Sequence, residues 1–327
     1  MADGTSVESK VYSAFREDFI KLRGQHKLIN KVTNPKLPLP PTFGSELDRK
    51  EAQYAIYGGA FIRAFVKWDA FVQDFLEETF LKLIEIITSE SQPPKQATKL
   101  LEKAFEEWHK EQKKLLPPQT AQELSVQLVL EPDKWKNILD NHAKKACKGC
   151  TPVFHGDKGI TKYLERLFLV KVNLAEELLK LGPIKLSCII NKPNVKIESE
   201  PLLNVNNPTA LETVTRLLYG VRCVLAHSKY EKTFLYGALF DFPDQSVFLK
   251  QMDESDLLAA EQVYTFYTRA EAVYEKPPES ILQIYYCDIV NLQRFILQMA
   301  SRLHNTVVKL IEDHYGLHVW NTLPFPE

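Results

Sequence analysis

Long apolar runs are missing from this chain. No stretch reaches the roughly 18 continuous apolar residues of a membrane span, and the opening Met-Ala-Asp-Gly-Thr-Ser has neither the basic nor the apolar region of a signal peptide. A protein of the cytosol or nucleus is expected, without a membrane partner. Excess charge of one sign is missing as well. With 41 Lys and Arg against 42 Asp and Glu, the net charge is −1, which removes any bulk attraction to nucleic acid. An RNA contact must then be local, and nothing selects DNA. Candidate basic patches lie between Lys134 and Lys148, with Lys136, Lys144 and Lys145, and around Arg63 and Lys67, although a solvated helix face is the simpler explanation for each. Cysteine is sparse and odd in number at five, which suits a reducing compartment better than a disulfide framework. Cys188, Cys223 and Cys287 lie among apolar neighbours and read as small core residues. Gly-x-Ser-x-Gly, His-Glu-x-x-His, Walker A and dinucleotide fingerprints are absent, so the common hydrolase, metalloprotease, NTPase and oxidoreductase chemistries have no support and no cofactor is expected. No fixed-period repeat suggests a solenoid.

What is present is helical periodicity, and the expected fold class is all-α. Residues 11–29 suggest a first amphipathic helix, followed by Asn34-Pro-Lys-Leu-Pro-Leu-Pro-Pro41, an extended connector. Residues 1–48 are therefore expected as an arm outside a main helical domain of 49–327. A long helix from about Leu47 to Ile87 carries Phe61, Phe65, Trp68, Val72, Phe75, Leu76, Phe80, Leu83 and Ile87 at three- and four-residue steps. Gly58-Gly59 should weaken or bend it, or allow close packing. Further helices fit 96–115, 120–129, 132–146, 160–168, 173–181 and 254–275. A last helix begins behind Pro277-Pro278 and should end at Gly316. Residues 184–205 break the helical period and read as loop with a short strand, and 233–242 read as a small β or irregular flap.

Thr209-Ala-Leu-Glu212 behind Pro208 reads as a capping box that opens a helix near Ala210. Its stripe, Val214, Leu217, Leu218, Val221, Val224 and Leu225, leads into Arg222-Cys-Val-Leu-Ala-His227-Ser228. Five residues apart, Arg222 and His227 would sit roughly 140° apart around a continuous helix. Convergence requires the helix to end near His227, or a site shared between two chains. The plainer reading of the same residues is a surface Arg and a His bonding a carbonyl at the helix end.

The segment from Leu211 to Ser228 resembles the Arg-x4-6-His signature of the HEPN (higher eukaryotes and prokaryotes nucleotide-binding) superfamily, in particular its larger, RiboL-PSP/MAE-like type. Gly58 to Leu76, with Trp68 and Asp69 mid-helix, resembles the long first helix of those larger members, and Gly159–Phe168 and Leu292–Leu303 are similar in character to their flanking elements. The resemblance implies a helical bundle with long first and last helices, acting as a homodimer on RNA without metal. Two facing motifs would promote attack of a ribose 2′-hydroxyl on its adjacent phosphate, leaving a 2′,3′-cyclic phosphate and a 5′-hydroxyl. His227 would be general base or acid, and Arg222 would clamp the phosphate. Ser228, Arg63 and Asp69 are the expected substrate-binding residues. Cys223 departs from the pattern, which has a small polar residue, most often Asn, after the Arg; a thiol is a poor hydrogen-bond partner. The alternative is a non-catalytic helical module of the same family that binds RNA or a protein.

A second constellation is His142-x4-Cys147-Lys-Gly-Cys150-x4-His155, a ligand set that tetrahedral zinc accepts. Its spacing is not that of a common finger, so no metal is the expectation and two unrelated surface cysteines are the default. His155-Gly-Asp-Lys-Gly159 lacks the full P-loop spacing and reads as a plain turn.

Overall fold

The computed structural model describes residues 8–33, 46–89, 94–97, 99–103, 106, 110, 139, 141–145, 147–151, 153–154, 159–187, 202–226 and 286–324. These residues are mostly helical, as the all-α reading expects, with one small strand pair. In chain order the named elements are α1 (Lys10–Thr33), α2 (Glu46–Ser89), α3 (Ile160–Phe168), α4 (Leu174–Leu179), β1 (Ile184–Ser187), β2 (Leu202–Val205), α5 (Pro208–Ala226) and α6 (Tyr286–Tyr315). No helix among the described residues is long and apolar enough to cross a membrane.

The apolar stripe of α2 is the wall on which the rest is built. Each of Phe61, Phe65, Trp68, Val72, Phe75, Leu76, Phe80, Leu83 and Ile87 is buried, and the helix runs unbroken through Gly58-Gly59. A Cβ added at Gly59 would meet nothing within 4 Å, so close packing does not demand that glycine. The first helix, expected within an arm, packs on α2 and α6 instead. Its Tyr12, Phe15, Phe19 and Leu22 are buried, and Phe15 lies 4.5 Å from Phe71 between ring centroids. Burying side chains of this size contributes about 2–3 kcal/mol each, which an arm in solvent would forgo. The N-terminus of α1 is tied to the same wall. Ser9 caps it by accepting from the Tyr12 backbone N–H at 3.1 Å, and Glu78 of α2 accepts from the Lys10 N–H at 3.1 Å and from the Ser9 hydroxyl.

The last helix, α6, is enclosed on all sides over Ser301–Val308. Although His304 Nε2 and Thr306 Oγ1 have no hydrogen-bond partner among the described residues, a polar side chain carried inward by a helix buried all round generally has to find one. Arg302 does so by donating to the carbonyls of Leu178, Gly182 and Pro183 at 2.9, 2.6 and 2.8 Å, which are the acceptors left open where α4 ends. Asn305 clamps the chain after α6, donating to the Leu323 carbonyl at 2.9 Å and accepting from its N–H at 2.7 Å. His304 stands between the rings of Tyr12 and Phe75, and burial pushes it down to about 4. Gly316, at φ +67°, ends the helix where expected, because a left-handed residue there suits glycine.

Helix α3 coincides with the expected 160–168, and its five buried residues form one face. The irregular stretch 184–205 does contain strand: β1 and β2 pair antiparallel, with Ile184 opposite Val205 and Ser187 opposite Leu202. The expected helices at 120–129 and 254–275, the connector at 34–41 and the flap at 233–242 lie outside the described residues.

Candidate functional site

The packing of α2 against α5 brings Asp69 and Arg222 together. On α5, Leu211, Val214, Thr215 and Leu218 are buried, and Arg222 follows Leu218 by four residues, so it continues the buried stripe. A guanidinium on that face needs a counter-charge. Asp69, next to Trp68 at the edge of the buried face of α2, supplies it: Arg222 Nη2 lies 3.9 Å from Asp69 Oδ2. One turn earlier on α5, the Tyr219 ring centroid is 5.8 Å from the guanidinium carbon, within cation–π reach. The two charged side chains are 26% and 19% exposed, so each keeps part of its surface within reach of solvent.

The pair is loose. A charge-assisted N–H···O bond is about 2.7–2.9 Å long, and the 3.9 Å contact is an ion pair without that bond. Asp69 Oδ1 and Arg222 Nε are both buried and have no hydrogen-bond partner among the described residues. Burial raises the Asp69 carboxyl to about 6, and Arg222 pulls it down by less. Asp69 is therefore mostly ionised near neutrality and takes up a proton as the pH falls through about 6.

The helix that carries Asp69 also anchors the turn at Cys147–Cys150. Gln73, four residues after Asp69, donates from Nε2 to the Cys150 carbonyl at 3.0 Å, and the Tyr163 hydroxyl of α3 donates to the Lys148 carbonyl at 3.1 Å. Gly149 takes φ +84° at the turn. Both thiols are free and buried, which corrects the expectation of surface cysteines. Burial first, then nearby negative charge from Glu77 and Asp74, pushes the Cys147 thiol up to about 12; Cys150 is pushed up as well. Zinc is held by thiolates. The ring of His142 packs 5.8 Å from that of Phe80, and no group of three His, Cys, Asp or Glu suited to a metal occurs among the described residues. His155 lies outside them.

Of the other expected site residues, Arg63 is exposed and donates from Nη1 to Gln25 Oε1 of α1 at 3.3 Å. Lys67 pairs with Asp18 at 2.5 Å, so the basic patch around 63–67 is partly engaged by α1. Lys144 and Lys145 are exposed. His227 and Ser228 lie outside the described residues, the description of α5 extending to Ala226. The helix begins at Pro208, two residues before the expected start: Asn207 is the cap, its Oδ1 accepting from the Thr209 N–H at 2.8 Å. Proline at the first helical position agrees with that geometry, since its missing N–H would have no partner there.

Tyr219 and Gln73 are neighbours of the Asp69–Arg222 pair that the sequence did not single out. Each had a signal, because Tyr219 precedes Arg222 by three residues and Gln73 follows Asp69 by four, spacings that share a helix face. Comparison with known proteins finds no matching family model, no matching curated protein and no matching solved structure.

Proposed function

We propose that this protein is a HEPN-like, metal-independent endoribonuclease that acts as a homodimer. Arg222 holds the scissile phosphate, and His227, from the same or the facing chain, moves the proton of the attacking 2′-hydroxyl. The observation that carries the reading is the position of Arg222: a guanidinium on the core-facing stripe of α5, a quarter exposed, with a distant carboxylate partner and a donor left over. An arginine that served only to fasten two helices would be expected in a close two-point contact.

The test is incubation of the purified dimer with structured and single-stranded RNA, reading the product ends. A 2′,3′-cyclic phosphate and a 5′-hydroxyl are expected, with loss of cleavage in Arg222→Ala and His227→Ala while the dimer and its melting temperature persist. Intact RNA in the presence of a verified dimer overturns the reading. A second reading, a non-catalytic helical module for RNA or protein binding, is favoured by the pairing of Arg222 with Asp69 across α5 and α2. On that reading Arg222→Ala lowers the melting temperature and no RNA is cut.

A further inference from the structure

We infer that Asp69 is a positioning residue: it holds the Arg222 guanidinium in the orientation that meets an anionic ligand and makes no contact with that ligand itself. This rests on the reading of Arg222 as a phosphate-binding group, and it replaces the expectation that Asp69 binds substrate directly. An ionised carboxylate placed against a phosphodiester would repel it, whereas one paired with a cation acts through that cation.

Three observations support the assignment. The contact between Asp69 and Arg222 is one long approach of 3.9 Å, which orients the guanidinium while leaving most of its donors uncommitted. The pair is also a poor fastening. Burial disfavours the Asp69 carboxylate by more than Arg222 favours it, so the charged form weakens the fold it sits in, as buried ion pairs commonly do. Finally, the described surroundings of Asp69 offer little else to answer its charge. Arg222 faces it from α5; Cys150 lies nearby on the turn, with its thiol held protonated; and Gln73, one turn along α2, is engaged with the Cys150 carbonyl. Protonating Asp69 therefore removes the counter-charge that orients Arg222, so RNA cleavage should fall as the medium is acidified.

The decisive variant is Asp69→Asn, studied in the full chain. Its kcat for RNA cleavage should fall roughly 100-fold, the scale of a small misplacement of a catalytic group, with KM changed far less. The acid limb of the rate profile should become shallower than in wild type, because protonation of the general base His227 remains when that of Asp69 is removed, and Asp69→Glu should restore part of kcat. A second readout needs no cleavage. Labelling of Arg222 by an arginine-selective dicarbonyl, followed by peptide mass spectrometry and normalised to exposed Arg16, should be several-fold faster in Asp69→Asn than in wild type at pH 8. The difference should vanish at pH 5. Equal labelling at pH 8 in a variant that melts like wild type, or wild-type kcat in Asp69→Asn, overturns the assignment. If Arg222 labelling responds as expected while wild-type protein leaves RNA intact, the nuclease reading fails and the positioning of Arg222 by Asp69 stands.

Discussion

At the scale of single residues, the buried polar groups divide into those that hold the fold and those that do not. Arg302 closes three carbonyls at the end of α4, and Asn305 fastens the tail at Leu323; both satisfy backbone groups that would otherwise be buried unpaired. Asp69 is the opposite case, a carboxylate whose burial is under-compensated. His304 has an acid-sensitive role. Its folded value of about 4 lies below the ordinary 6.5, so its contribution is fully present above pH 6.5 and is lost as the pH falls towards 4. Asp69 acts in the opposite sense, since its raised value favours the folded state as the pH drops from about 6 towards 3.8. The two are separable by substitution. Between pH 7 and pH 4.5, His304→Gln should lose less stability than wild type, by about 1–3 kcal/mol, as read from urea unfolding at each pH. An equal loss in both proteins would show that His304 does not control the acid limb.

At the scale of elements, helix α5 positions Arg222 through its start as much as through its stripe. Asn207 caps the helix and Pro208 opens it, and this frame sets the rotation that carries Arg222 onto the face shared with Leu218. The Asn207→Ala variant should cost about 1 kcal/mol, measured by thermal or urea unfolding. A Thr209→Ala change of equal or larger cost would return the cap to the Thr209–Glu212 box. The helices at Glu46–Ser89 and Ile160–Phe168 were legible from spacing because each buries one continuous apolar face. The cap of α5 was not legible, since Asn207 and Thr209 are both good capping residues and only the backbone geometry chooses between them.

At the scale of the whole molecule, the first helix belongs to the core. Tyr12, Phe15, Phe19 and Leu22 fill the space between α2 and α6, and a buried contact between His26 Nδ1 and Gln293 Nε2 at 2.5 Å ties α1 to α6. Truncation of residues 1–33 should therefore leave a protein that aggregates or binds a hydrophobic dye, and Phe19→Ala in the full chain should cost about 3–5 kcal/mol. A truncated chain that melts cooperatively near the wild-type temperature would restore the arm. The proline-rich stretch after α1 made an outlying arm the natural expectation; a sequence records that a connector is extended but not where it leads.

Among the described residues, the sequence by itself determined where the long helices run and which face of them turns inward, because those follow from residue spacing and local backbone chemistry. It also made Arg222 conspicuous, a permanent charge with an imidazole five residues on, where an apolar stripe ends. Only the tertiary structure decided what answers that charge. Asp69 stands 153 positions away in the chain, and no local rule relates the two; the packing of α2 on α5 brings them within 3.9 Å. The same holds for the buried Cys147–Cys150 turn, whose thiols are shielded by neighbours drawn from distant parts of the chain. Helical periodicity is a property of adjacent residues, whereas burial and charge pairing depend on which surfaces meet.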